Sequence, residues 1–220
     1  MQRFASSVGV NSAMSKVYGL TAMGLFVAAL VAFFVASSPA MMALVFGSAL
    51  KWVVLLAPLA LVFVMGFGYE RLSVNALTGL YFTLTALTGA SGAALLHVFT
   101  LGSVAGVFVT KSLLFGVMSF VGYTTKADLT SMGKLLFFAL IGLIIAMIVN
   151  MFLASSLMST VISCVGVLIF VGLIAYDTQK LKSLAADDEK GAVMGALSLF
   201  LDFYNLFLFL LDLMGVKSND

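Results

Sequence analysis

The run GAVMGALSLFLDFYNLFLFLLDLMG, Gly191 to Gly215, is long and apolar enough to cross a bilayer, yet it carries Asp202 and Asp212 within it. At helical spacing Gly191, Gly195, Ser198, Asp202, Asn205, Phe209 and Asp212 recur at steps of four and three, so they form one stripe. Nearly everything off the stripe is Leu, Phe, Met or Val. Hydrocarbon gains nothing from a small, polar stripe. Neighbouring helices do, because small residues admit close backbones and ionisable groups need shelter from lipid. The expectation is a helix at the centre of a bundle, with Ser198, Asn205 and Asp212 as candidates for lining a polar path along it.

The rest of the chain supports a membrane setting. Of 220 residues, 63% are hydrophobic and 9% charged, whereas a soluble domain is about 25% charged. Net charge is +2 and no dense basic run occurs, which excludes a nucleic-acid partner. The lone Cys164 sits in an apolar run, so it reads as a small buried hydrophobe. Mixed residues precede the first apolar run, and Val17 to Ser37 is longer than a signal-peptide core, so that run is expected to stay as a helix.

Taking about 20 apolar residues per crossing, seven spans are predicted: 17–37, 48–68, 74–96, 103–123, 134–153, 157–176 and 193–214. The domain reading is a cytoplasmic tail over 1–16, a seven-helix domain over 17–215 and a tail over 216–220. Short breaks force sequential, mostly antiparallel helices. One side holds Arg3, Lys16, Arg71, Lys126, Lys134, Lys180, Lys182 and Lys190; the other holds Lys51 and Lys217. The positive-inside rule then places the N-terminus in the cytoplasm. A full last span would put the C-terminus outside, and a re-entrant one would put it inside.

With that orientation, the second span ends inward at Arg71 and the sixth at Tyr176-Asp177, in VGLIAYDTQKLK. Asp202 lies two to three turns into the seventh span from the same side. Asp177 and Asp202 can therefore meet, with Arg71 in reach. Two carboxyls in one poorly solvated site cannot both ionise cheaply and titrate as a unit. Carboxylates are also oxygen ligands of the kind Ca²⁺ prefers. The chemistry suits a proton-sensitive latch or a cation site. Alternatively, Asp177 sits at headgroup level, paired with Lys180 or Lys182. A mid-helix acid such as Asp202 is functional by default, whereas Asp212 is nearer the far end and within reach of interfacial water.

Other motifs are weaker. Gly89-Ala90-Ser91-Gly92 has the form of an intramembrane serine nucleophile, but His97 lies about 120° off that face on a continuing helix. A nucleophile needs its base within hydrogen-bond reach. Close helix packing is the better account, and Gly102 with Gly106 is read the same way. Lys111, inside the fourth span, must snorkel or pair with an acid. The seventh span has no lysine for a retinal Schiff base, and His97 has no companions at zinc spacing. Asn150 reads as a helix–helix hydrogen bond. Neither an enzyme nor a resident cofactor is expected.

The runs GYTTKADLTSMGKLLFFALIGLIIAMIVNMFL (122–153), VFVGLIAYDTQKLK (169–182) and GALSLFLDFYNLFLFLL (195–211) closely resemble the bacterial branch of the Bax inhibitor-1, or transmembrane Bax inhibitor motif, family. The similarity runs from about Lys16 to Gly215. It implies an all-α fold of seven transmembrane helices with the last surrounded by the other six. It also implies a pH-sensitive Ca²⁺ leak in the bacterial inner membrane, gated by an aspartate pair matching Asp177 and Asp202. The family's latch arginine corresponds to Arg71. Relatives commonly carry a basic residue where this chain has Asp212, and a small uncharged stretch where it has Lys111, whose charge opposes cation passage. Some bacterial relatives are described as modulators of a membrane-bound FtsH-type protease. An interaction protein of that class, using Met1 to Ser15 as its contact, is the alternative expectation.

Overall fold

The computed structural model describes residues 7–184 and 188–218, in which no β-strand occurs. The helices are α1 (Ser7–Ala36), α2 (Pro39–Phe46), α3 (Leu50–Gly68), α4 (Val74–Gly92), α5 (Leu95–Val98), α6 (Leu101–Thr124), α7 (Thr130–Leu153), α8 (Ser156–Leu181) and α9 (Glu189–Met214). Seven of them are long and apolar enough to cross a membrane, α4 doing so together with α5. Their outward side chains are apolar and bare, as with Phe67, Phe152 and Leu157, which is how a surface solvated by lipid reads.

The helix starts follow from sequence. Ser38, Ser73 and Ser155 each precede a helix, and each side-chain oxygen accepts the N–H three residues on, from Met41, Ala76 and Met158. Pro39 at the first turn of α2 forgoes an N–H that would have no partner there. Ser38-Pro39 therefore starts a short helix rather than a simple break. Its Val45 packs with Val35, Val54, Ala90 and Ala93.

Three boundaries differ from expectation. The first helix begins at Ser7, well before Val17. The sixth span continues through the polar DTQK run to Leu181, and the last begins at Glu189, so helix extends into the expected break between 176 and 193 from both ends. Residues 216–218, expected as a tail, are tied down. Lys217 bridges Phe99, the Ser218 N–H donates to the Val98 carbonyl, and the Val216 N–H donates to Ser103 Oγ.

The chain groups into two compact units. The first comprises 1–100, 184–200 and 217–220. Here α1 and α4 touch through glycine: a methyl on Gly89 would press into the Ala28 backbone, and one on Gly24 would press into the Tyr81 ring. Tyr81 is fully buried and donates its hydroxyl proton to the Leu20 carbonyl over 3.0 Å. The second unit comprises 101–183 and 201–216. There α8 is the common wall. Gly122 of α6 lies against the Ala175 backbone, Gly133 of α7 against the Tyr176 ring, and Phe209 of α9 against Gly166. Gly102 and Gly106 take no part in such packing, because a methyl at either would meet nothing within 4 Å.

The helix α9 contributes to both units and is the most enclosed span: 61% of its apolar window is buried, against 39% or less for the others. The burial is not confined to its polar stripe. Leu199, Phe200 and Leu206, off the stripe, are completely covered. A helix apolar nearly all round is one built to be enclosed.

Candidate functional site

Within the second unit, Asp177 and Asp202 come together. Asp177 is half-buried near the end of α8, and Asp202 is 5% exposed on α9. Their side chains are close enough to interact. An ionised carboxylate only accepts, so a bond between two carboxyls needs a proton on one of them. The Asp202 oxygen Oδ2 is buried and finds no hydrogen-bond partner among the described residues. Leaving such an oxygen dry costs about 1–3 kcal/mol, so a proton, water or cation that satisfies it is favoured by a similar amount. The two carboxyls can supply part of a Ca²⁺ shell, which takes six to eight oxygens. Among the described residues no group of three or more His, Cys, Asp or Glu gathers to complete it.

The residues after Asp177 fix its place. Thr178, fully buried, donates its hydroxyl proton to Ser119 Oγ of α6 over 3.4 Å. Gln179 accepts the Leu129 N–H at 2.8 Å and donates to the Ala127 carbonyl at 2.7 Å, clamping the turn between α6 and α7. Lys182 donates to the Tyr123 carbonyl at 2.6 Å and lies over the Tyr123 ring. It caps α6. In that same turn Asp128 Oδ1 accepts the Thr130 N–H at 2.9 Å. Bonds from the Thr130 side chain and backbone hold the Asp128 carboxyl below its ordinary range. These clamping roles of Gln179 and Lys182 were not foreseen. Their partners lie some fifty residues away, and polarity alone does not distinguish a clamp from a solvated loop.

Lys111 takes neither of its two expected courses. It is 2% exposed and forms no ion pair among the described residues. Its ammonium lies 3.2 Å from the ring centre of Phe203, 4.4 Å from that of Phe207 and 5.2 Å from that of Phe108. An ammonium within about 6 Å of a ring face is attracted by the ring's quadrupole. Three phenylalanines substitute for a counter-ion.

Asp212, at the far end of α9, is exposed. It accepts from Ser163 Oγ at 2.5 Å and from Ser159 Oγ at 3.4 Å. Asn205, half-buried on the same helix, donates its amide to the Leu201 carbonyl. Asn150 does not bridge helices; its Oδ1 accepts the Ser155 N–H and steadies the turn after α7, where Ala154 is left-handed at φ 50°.

In the first unit, Arg71 is exposed in the turn between α3 and α4, its N–H bonded to the Gly68 carbonyl. Ser198 is half-buried. Ser91 donates to the Thr88 carbonyl, while His97 Nε2 lies 3.2 Å from the Ala36 carbonyl. The two serve separate partners, as helix packing requires and a nucleophile–base pair forbids. Lys190 was not singled out from sequence. Its ammonium donates to the Tyr69 carbonyl at 3.2 Å and lies over the Tyr69 ring, near the end of α3.

The sequence matches known proteins over nearly its whole length. The family described as inhibitor of apoptosis-promoting Bax1 matches residues 10–219. Inner membrane protein YbhL of Escherichia coli is 41% identical over 216 residues, covering 94% of this chain and 92% of its own. An uncharacterized protein of Rickettsia prowazekii is 41% identical over 219 residues, covering 96% and 92%. An uncharacterized membrane protein of Streptococcus pyogenes is 35% identical over 218 residues, covering 96% and 95%. With seven membrane-length helices and a match over nearly its whole length, the chain belongs to the Bax inhibitor-1 family of membrane proteins.

Proposed function

We propose that the protein is a passive, pH-regulated leak for Ca²⁺ across a bacterial inner membrane, with its N-terminus in the cytoplasm. The observation that carries the reading is the contact between Asp177 and Asp202 at a buried position on the most enclosed helix. While the pair holds its proton, the carboxyls are bonded and α8 is tied to α9. Once the proton leaves, two negative charges face each other in a poorly solvated site and repel. That alternation is a two-state element. Protons and Ca²⁺ bind its two forms unequally and so shift their populations. Arg71 serves as the electrostatic latch that holds the closed form. The caged charge of Lys111 opposes cations, which keeps the leak slow.

The test is Ca²⁺ flux into proteoliposomes from pH 5 to 8, with wild type and Asp202→Asn. A pH-dependent leak that the substitution flattens is the expected result. Wild-type pH dependence in the mutant would sink the dyad. Folded protein with no flux above empty liposomes would shift the assignment to a partner-binding role, with an FtsH-type protease as the first partner to test by cross-linking.

A further inference from the structure

A cavity of about 340 Å³ lies beside the C-terminal part of α9 in the second unit, and the proposed leak mechanism does not employ it as a binding site. Its lining mixes polar residues, Asp212, Ser159, Ser163 and Asn205, with apolar ones including Leu208 and Phe209. The polar part is built. Ser159 and Ser163 stand one turn apart on α8, and both donate to the same Asp212 oxygen, Oδ2, which fixes the carboxylate's orientation. Ser163 is itself 3% exposed, so its hydroxyl is a buried part of the wall. Asn205 commits one amide N–H to the Leu201 carbonyl. Its carbonyl oxygen can accept from a ligand, and one amide N–H is left over.

These features select a ligand class. Among the described residues Asp212 is the one ionisable group in the lining, so the site balances one positive charge. That disfavours a divalent ion, which gathers several carboxylates. The volume is at the small end of organic-ligand sites, which run from roughly 300 Å³ upward, and it far exceeds a water's share of about 30 Å³. Carboxylate, amide carbonyl and hydroxyl oxygens together match the three N–H donors of a primary ammonium. Leu208 and Phe209 in the lining suit a short hydrocarbon body.

We propose that this cavity binds a primary alkylammonium group, with its charge on Asp212 and its hydrocarbon against Leu208 and Phe209. The group can arrive on a small soluble amine or as the headgroup of an aminophospholipid. The two share the same donors and differ in source.

The full chain in detergent is titrated calorimetrically with n-butylammonium, with n-butanol and butyrate as neutral and anionic controls. The lipid source is tested in nanodiscs by comparing thermal stability in phosphatidylethanolamine and in phosphatidylcholine, whose quaternary ammonium has no N–H. Asp212→Asn keeps the shape and an acceptor for both serines while removing the charge. Leu208→Trp fills the cavity and leaves the charge in place, so it remains informative if the first variant fails to fold. Saturable binding of butylammonium, weakened roughly tenfold or more by Asp212→Asn and abolished by Leu208→Trp, supports the proposal with a soluble ligand. Stabilisation by phosphatidylethanolamine alone, lost in both variants, supports it with a lipid. Butanol binding as tightly as butylammonium, variants indistinguishable from wild type, or no response to either source overturns it.

Discussion

Replacing Gly122 by Ala should force α6 away from α8. The new methyl would lie 2.9 Å from the Ala175 Cα and closer still to its carbonyl oxygen. Non-bonded carbons rest at about 3.5–4 Å, so the helices must part by about 1 Å there. Backbone cannot swing aside as a side chain does, and crowding of this kind costs about 1–3 kcal/mol. Alanine's better helix propensity returns about 1 kcal/mol at most. A control exists on the same helix: a methyl on Gly116 meets nothing within 4 Å, so Gly116→Ala has the gain without the crowding. The two variants should differ by about 1–3 kcal/mol, with Gly122→Ala the less stable. At roughly 2–4 °C per kcal/mol for a chain of this size, thermal unfolding followed by circular dichroism in detergent separates them by several degrees. The displacement should also reach the site, because Ala175 lies on α8 just before Asp177. Equal stability of the two variants would refute the close α6–α8 contact and with it the positioning of Asp177.

Two further substitutions test other parts of the second unit. Lys111→Met keeps the volume of the stem and removes a buried cation that has no ion-pair partner among the described residues. It should raise thermal stability, by roughly 1–4 kcal/mol on the precedent of buried charges replaced by apolar side chains, and speed cation flux; a less stable protein would show that the phenylalanine cage more than offsets the cost of burial. Asp128→Ala should destabilise the protein at neutral pH, where the ionised carboxylate accepts from Thr130. Because the folded state holds this carboxyl below its ordinary value of about 4, its contribution is full above that value. It fades as pH falls through the folded value, so the gap between wild type and variant should narrow at acid pH. A gap unchanged between pH 7 and pH 3 contradicts the assignment.

Much of this structure is written in hydropathy and period. All seven spans are legible because each is apolar over about the length a bilayer needs, and the polar breaks between them locate their ends. The Asp177–Asp202 meeting follows from two helix ends on one side and one stripe, without knowledge of packing. What escapes is decided by pairing between distant helices. Phe203 and Phe207 stand one turn apart on α9 and look like ordinary lipid-facing residues until α6 brings Lys111 beneath them. Ser159 and Ser163 look like helix-packing serines until Asp212 arrives across from them. Gly102 and Gly106 have the right spacing for a close crossing, but among the described residues nothing lies within 4 Å of a methyl at either. The run DTQK reads as a loop because it is polar, yet every polar group in it whose bond is described has a specific acceptor or donor, and the helix runs on.

That run has a mechanical consequence. Successive residues of α8 grip different things: Asp177 grips α9, Thr178 grips α6, and Gln179 grips the turn at Ala127 and Leu129. A helix turns as a rigid rod, so α8 cannot rotate far enough to part the two carboxyls without pulling on that exposed turn. The last two turns of α8 thus work as a gear between the buried carboxyls and the protein surface. A label on Lys126, in the turn itself, is placed to report any rotation of α8.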